Sequence, residues 1–276
     1  MKVGVIGAGF VGNAMSQLSP GVDIIVWDTD ESKRVPVDIT FEDFVKQSEI
    51  VFIAVPTPMD KDGRCHTSIV ESVVSDVRRI DNEQHIVIRS TVPPGTCARL
   101  GVSFMPEFLT ERYWKTDFIR TTKWIIGTDD SILFELMTTM FKLAKDRGCI
   151  DSCVTEQYTP SEAEMMKYTA NCFLATKISF FNEVSELCDT IGIDYNNIIK
   201  FCGGDPRIGN NHIRVPGHDG KRGYGGTCFP KDMNALAHEF EANGLESYII
   251  KASIERNEYH DRPERDWKSD SGRAVI

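Results

Sequence analysis

The sequence contains no apolar run long enough to span a bilayer, its longest candidates being broken by charge or proline within about a dozen residues. No membrane partner is therefore expected. Nor is there a charged-then-apolar leader: Lys2-Val3-Gly4-Val5-Ile6 runs straight into glycines and reads as a first strand, so a cytoplasmic protein is expected. Positive charge is scarce. The 276 residues carry 31 Lys and Arg against 41 Asp and Glu, a net charge of −10. A phosphate backbone needs a basic face, so a nucleic-acid partner is not expected. A small anionic substrate needs only a local cluster of cations and stays open. Eight cysteines occur without CxxC spacing, and Cys149 and Cys153 have no second pair, which favours reduced thiols over a disulfide framework or zinc site. His66, His85, His212, His218, His238 and His260 show no HExxH or other ligand spacing, so no metal is expected. Internal repeats and low-complexity tracts are also missing.

What the first half does contain is alternation of short apolar runs with helical patterns. Strands are predicted at Lys2–Ile6, Asp23–Trp27, Ile50–Val55, His85–Arg89, Val102–Phe104 and Lys123–Ile126. Helices are predicted at Val11–Leu18, Phe41–Gln47, Ser68–Ile80 and Ser131–Lys145. Such βαβ alternation implies an α/β fold with a doubly wound parallel sheet and ligands beyond the carboxyl ends of its strands. After Cys153 the pattern reads as helix only. Thr159-Pro160-Ser161-Glu162 combines an N-cap, a proline at the first helical position and a capping box. No proline or glycine follows until Gly192, which predicts one long helix. A short helix near Tyr195–Phe201, a glycine-rich loop over 203–226 and helices near Asp232–Ala242 and Leu245–His260 complete the second half. The expected domains are residues 1–154, Rossmann-like, and 155–262, all-helical, with 263–276 a flexible tail.

Gly7-Ala8-Gly9-Phe10-Val11-Gly12 matches GxGxxG, with a strand before it, an amphipathic helix after it, and Asp28 ending the second strand 21 residues beyond the first glycine. Gly7 serves the tight turn, Gly9 admits the pyrophosphate to the backbone, and Gly12 allows helix and strand to pack closely. Phe10 and Val11 open the helix whose amides face the phosphates. Asp28 suits ribose hydroxyls and repels a 2′-phosphate, so NAD is expected over NADP. The bland reading, a glycine turn with a surface aspartate, needs all three signals to coincide by chance.

Further motifs follow strands at the ligand-binding edge: Val55-Pro56-Thr57-Pro58, Ser90-Thr91-Val92-Pro93-Pro94-Gly95-Thr96 and Met105-Pro106-Glu107-Phe108-Leu109-Thr110-Glu111. Lys167 and Asn171 lie one turn apart on the long helix. Last comes Gly223-Tyr224-Gly225-Gly226-Thr227-Cys228-Phe229-Pro230-Lys231-Asp232. Taken singly, prolines after strands are turn punctuation and most cysteines are packing residues, the reading given to the other seven. Cys228 differs: it opens a helix, whose amino-terminal dipole favours thiolate, with Lys231 beside it. In this order the set resembles the UDP-glucose/GDP-mannose dehydrogenase family over roughly residues 2–260.

The resemblance implies a four-electron oxidation of a nucleotide-sugar C6 alcohol to the acid with NAD, through a thiohemiacetal and thioester on Cys228. It implies that Lys167 and Asn171 face the developing oxyanion, that Asp232 holds a water and orients Lys167, and that Glu111 is the base for hydrolysis. Thr91 and Glu107 match polar positions around sugar and water, and Pro56, Thr57 and Thr91 match cofactor positions. Substrate contacts are implied for Glu107, Phe108, Leu109, Lys167, Asn171, Tyr224, Gly225 and Arg207. Lys231 favours a UDP-glucose-like or GDP-mannose-like sugar over an N-acetylhexosamine, UDP-glucose first. The chain stops near the point where the family continues into a nucleotide-holding domain, and a naturally short member and a truncated product both stay open. The stretch from Arg207 to Cys228 is lengthened, and its Arg214, Lys221 and Arg222 are candidates to hold the diphosphate instead. The long helix carries Met165, Phe173, Leu174, Ile178, Phe181 and Leu187, more apolar surface than one small domain covers, which predicts a homodimer through residues 160–189. Two other classes stay open: a one-step NAD-dependent hydroxyacid-type dehydrogenase, which needs no cysteine, and a non-catalytic NAD-binding protein.

Overall fold

The computed structural model describes residues 1–276. Strand β1 (Lys2–Ile6) lies between β2 (Asp23–Trp27) and β3 (Ile50–Ile53), followed outward by β4 (His85–Ile88), β5 (Ser103–Phe104), β6 (Trp124–Gly127) and β7 (Thr155–Tyr158). The order is β2-β1-β3-β4-β5-β6-β7. Apolar residues all along β3 are buried, as expected for a parallel strand covered on both faces. Val3 and Val5 of β1 join one core with Met15, Trp124 and Phe141; Ile6 joins the other with Phe44, Ile53 and Val74. The helices over these faces are α1 (Phe10–Ala14), α2 (Phe41–Gln47), α3 (Ser68–Ile80), α4 (Thr96–Leu100), α5 (Trp114–Ile119) and α6 (Ser131–Asp146).

The sheet departs from expectation twice. Strand β6 runs antiparallel to β5, through the single pair Phe104–Gly127, because the intervening chain carries only short α5, packed against α1, and returns without a full crossover. Residues after Cys153 are also not helix only: Thr155-Glu156-Gln157-Tyr158 pairs parallel with β6 as an edge strand. Its polar sequence hid it, since an edge strand with little burial needs no apolar alternation.

Helix α7 (Pro160–Ile191) starts at the capping box read from the sequence: Glu162 Oε2 accepts from Thr159 N at 2.8 Å and Thr159 Oγ1 from Glu162 N at 3.3 Å. The chain forms two compact units, Met1–Thr57 with Thr67–Lys167, and Pro58–His66 with Tyr168–Ile276. Strand β7 and the first turns of α7 thus belong with the sheet. The second unit holds the rest of α7 with α8 (Tyr195–Gly204), α9 (Phe229–Ala242) and α10 (Tyr248–Arg256). Its cores gather Tyr168, Tyr224 and Met233, and separately Phe181, Tyr195 and Ile213. The segment 263–276, expected as a flexible tail, is packed. Trp267 and Ala274 are buried, Met59 N donates to Ala274 O at 2.9 Å, and Arg262 anchors the approach through Asp266. No helix is long and apolar enough to cross a membrane.

Candidate active site

In the first unit the segments after β1, β3, β4 and β5 collect at the carboxyl edge of the sheet, where the doubly wound rule places ligands. The glycine loop there discriminates its three glycines by space. Gly7 has φ +97°, and a Cβ on it would lie 2.4 Å from Ala54 O. On Gly12 a Cβ would lie 1.8 Å from Gly7 O. On Gly9 it would meet nothing within 4 Å, so the backbone is bare on the side a pyrophosphate approaches. Asp28 Oδ2 accepts from Ala8 N at 2.7 Å and Oδ1 from Asp30 N at 2.9 Å, which locks the carboxylate beside the loop. The residues present fit a dinucleotide: Gly9 and the start of α1 (Phe10, Val11) at the phosphates, Asp28 at the ribose. Arg34, which sequence reasoning missed, donates from Nε to Asp28 O at 2.9 Å and stacks on Trp27. Farther along the edge Thr57 is buried and donates to Thr91 O at 2.9 Å, while Pro56 is exposed.

Glu107 and Lys167 form a buried pair in this unit. Lys167 Nζ donates to Glu107 Oε1 at 2.9 Å and to Glu107 O at 2.5 Å, and Leu109 N donates to Glu107 Oε2 at 2.7 Å. Burial pushes the Glu107 carboxyl up. The Lys167 ammonium, the Leu109 amide and the charge of Arg89 outweigh it, so the carboxyl sits below its usual range. Arg89, the last residue before Ser90-Thr91, is a second omission: it is buried over the Phe118 ring, and its Nε and Nη1 have no partner in the protein. Burial pulls its guanidinium down to about 10 against the opposing charge of Glu107. An arginine ending an apolar strand was the available signal. Phe108 is half exposed, its ring 5.6 Å from Lys167 Nζ, and Glu111 is exposed. Glu164 was also unforeseen; from α7 it accepts from Gly95 N at 2.6 Å and Cys97 N at 2.8 Å, tying down the start of α4.

In the second unit Cys228 stands immediately before α9, with Asp232 N donating to Cys228 O at 2.9 Å in the first turn. Cys228 is half-buried, its Sγ 3.7 Å from Thr227 Oγ1. Behind it the Asp232 carboxylate, 1% exposed, accepts from Asn171 Nδ2 at 2.6 Å and from Lys231 Nζ at 2.5 Å. Burial lowers the Lys231 ammonium, but the charges of Asp232, Cys65 and Cys228 more than reverse this and raise it above its usual range. Tyr224 is core: its ring is buried and its hydroxyl donates to Ser253 O at 3.4 Å. The loop cations differ from one another. Arg207 is paired with Asp205 at 2.6 Å, Lys221 with Asp266 at 2.8 Å and Glu264 at 3.0 Å, and Arg222 donates to Asn182 O at 2.9 Å. Arg214 instead lines a cavity of about 420 Å³ with Lys200, Asn196 and Asn210.

Residues 18–145 match the model of the UDP-glucose/GDP-mannose dehydrogenase family, NAD binding domain, and residues 161–259 that family's central domain. A UDP-glucose 6-dehydrogenase of Rickettsia bellii is 34% identical over 239 residues, 82% of this chain and 53% of the relative. One of Pseudomonas aeruginosa is 34% identical over 259 residues, 86% of this chain and 54% of the relative. A solved UDP-glucose dehydrogenase from Pyrobaculum islandicum is similar with a TM-score of 0.81 at 30% identity, covering 94% of this chain and 68% of that one. The chain spans about half the length of the curated relatives named here.

Proposed function

This chain belongs to the UDP-glucose/GDP-mannose dehydrogenase family and takes NAD, and from that premise we propose that it oxidises a nucleotide-sugar C6 alcohol to the carboxylate, UDP-glucose to UDP-glucuronate first among candidates, with Cys228 as the covalent nucleophile. The observation that carries the reading is the head of α9, where Cys228 precedes a buried Lys231–Asp232–Asn171 cluster. A positive helix end and an ammonium both favour the thiolate that such chemistry requires.

Bound NAD would supply the hydride acceptor for each of the two oxidations. In the first, the alcohol's proton passes to the water held by Asp232, and Lys167 and Asn171 stabilise the oxyanion that develops. Cys228 Sγ then bonds to the aldehyde carbon, and the carbonyl oxygen becomes the hydroxyl of a thiohemiacetal. The covalent bond holds that carbon in place, which a free aldehyde hydrate lacks. After the second oxidation the adduct is a thioester. Glu111 takes a proton from water, the resulting hydroxide adds to the thioester carbon, and the carbon–sulfur bond breaks to return the Cys228 thiolate and release the carboxylate. Asp232 holds Asn171 and the water, while Glu107 and Thr91 border the sugar. For the diphosphate the assignment narrows to Arg214 with Lys200, because Lys221 is committed to Asp266 and Glu264. A homodimer through α7 is part of the same proposal.

The decisive experiment measures NADH yield and product mass with UDP-glucose, GDP-mannose and UDP-N-acetylhexosamines. About two NADH per UDP-glucose are expected, as the covalent two-step scheme requires. Cys228→Ser should retain part of the first oxidation and accumulate aldehyde or a stalled adduct. A yield near one NADH would favour a one-step hydroxyacid-type dehydrogenase. Tight NAD binding with no turnover would favour a non-catalytic NAD-binding protein.

A further inference from the structure

The loop that delivers Cys228 to α9 is glycine-rich, yet it is held at its backbone from one side. Asn257 follows α10 and is fully buried. Its Oδ1 accepts from Tyr224 N at 2.8 Å, and its Nδ2 donates to Tyr224 O at 2.9 Å. Both polar groups of one loop peptide residue are thus satisfied by a single side chain. Gly223 N donates to Asn182 Oδ1 at 3.2 Å from α7. Two glycines are explained by what rests on them. A Cβ on Gly223, whose φ is +67°, would lie 2.3 Å from Asn257 Oδ1, and one on Gly225 would lie 2.6 Å from the Arg262 guanidinium carbon. Arg262 is itself fixed. Its Nε and Nη2 donate to Asp266 at 2.9 and 3.0 Å, and Nη2 also pairs with Asp219. Lys221 closes the same network by reaching Asp266 at 2.8 Å.

The local backbone sets both side chains. Residues Asn257–Asp261 form a π-helical turn, closed by Arg262 N donating to Asn257 O at 2.8 Å, and widened turns of this kind recur at functional sites. Trp267, buried just beyond, keeps the segment from fraying. We propose that Asn257 and Arg262 are positioning residues: they clamp the backbone of Gly223–Gly226 and so fix where Cys228 stands at the head of α9. This deepens, and rests on, the reading of Cys228 as nucleophile. A reactive group must be held to within a fraction of an ångström, and a loop with three glycines among the four residues Gly223–Gly226 cannot do so unaided. The energy that a glycine loop forgoes in its own stiffness is supplied by buried, fully bonded side chains from the chain's last segment.

The test reads the thiol directly and needs no turnover. The full chain is treated with iodoacetamide near neutral pH, and alkylation of each cysteine is followed by peptide mass spectrometry. Cys149 and Cys153, half-buried in the first unit, serve as internal controls. With Asn257→Ala the loop is released, the thiol leaves the helix end that favours its reactive form, and Cys228 alkylation should slow at least about fivefold while both controls stay within about twofold. Asn257→Asp keeps the acceptor for Tyr224 N and should fall between. If Asn257→Ala unfolds the chain, so that all cysteines react alike, Arg262→Lys decides by the same comparison. It keeps the charge but loses the fork that holds Asp219 and Asp266 together. Cys228 alkylated at the parental rate in a folded variant would overturn the proposal. Acid formation by Cys228→Ser would instead remove the nucleophile reading and leave these ratios intact.

Discussion

A carboxylate as deeply buried as Glu107 stays charged only because cations surround it. Lys167 bonds it, Leu109 N donates to it and Arg89 adds its field, and together they hold the carboxyl below its usual range against the cost of burial. The consequence for stability has a definite sign. A carboxyl lowered on folding contributes fully above its unfolded value, near about 4.3 for glutamate, and loses that contribution as pH falls through the folded value. Stability from this pair should therefore be intact from about pH 5 upward and shrink below about pH 4.3. Glu107→Gln removes the titration and strands a buried ammonium, at a cost of about 3 kcal/mol near neutrality. Urea unfolding across pH 3 to 7 checks both parts: the variant should be weaker at neutral pH and flatter in acid. Parallel acid limbs for parent and variant would show that Glu107 does not carry the dependence. The thiols obey the same logic with opposite outcome. Burial pushes Cys97 and Cys172 up, which makes them inert packing groups, whereas Cys228 is half-exposed at a helix head.

At the scale of elements, the strand–loop–helix that starts the chain separates two kinds of glycine. Gly12→Ala drives a methyl into Gly7 O, a contact of 1.8 Å that neither backbone can relieve cheaply, so the first unit should lose about 3 kcal/mol or fail to fold. Gly9→Ala meets nothing, and its φ of −71° suits alanine, so thermal stability should change by less than about 0.5 kcal/mol. NAD affinity should nonetheless drop more than about tenfold, because the methyl occupies the pyrophosphate's approach. Calorimetric NAD titration beside thermal unfolding distinguishes the two, and unchanged NAD affinity in Gly9→Ala would place the cofactor elsewhere. Elements like this were legible because period, caps and turn chemistry agreed locally: β1, β2, α2 and α3 lie where the pattern put them, and α7 begins at its capping box. What escaped is non-local. Strand β7 has no apolar alternation, and only pairing with β6 makes it a strand. The motifs that carry the residues proposed for catalysis, Cys228, Lys167, Asn171, Glu107 and Asp232 among them, were legible in the sequence. Glu164, Asn257 and Arg262 were not, because each acts on a backbone or charge far away in sequence, with nothing local to mark it, and Arg89 left only its place at the end of an apolar strand.

At the scale of the molecule, α7 presents an apolar stripe that its own unit does not cover. Phe173, Phe180 and Leu187 recur every seven residues and are 65%, 60% and 58% exposed, with Ile191 at 58% one turn on. The stripe differs from the one expected from sequence, where Phe181 and Ile178 were counted toward the interface. At 100° per residue Phe181 faces away from Phe180, and it is buried in the second unit's core, as Ile178 packs on the neighbouring one. Large aromatics at this exposure cost solubility unless covered, since each buried Phe or Leu is worth about 1.5–3 kcal/mol. A second copy is the economical cover: a straight helix stripe is self-complementary about a two-fold axis, so each Phe180 meets the same surface on its partner. The protein is therefore expected to be a dimer by light scattering at micromolar concentration. Phe180→Asp places two carboxylates in that seam per dimer and should weaken association at least about a hundredfold, roughly 2.7 kcal/mol, giving a monomer at the same concentration. Because Phe180 lies on the outer face, the variant's unit should keep its fold, with circular dichroism unchanged. A parent protein that scatters as a monomer would remove the homodimer, and a Phe180→Asp variant that remains a full dimer would move the interface to another face.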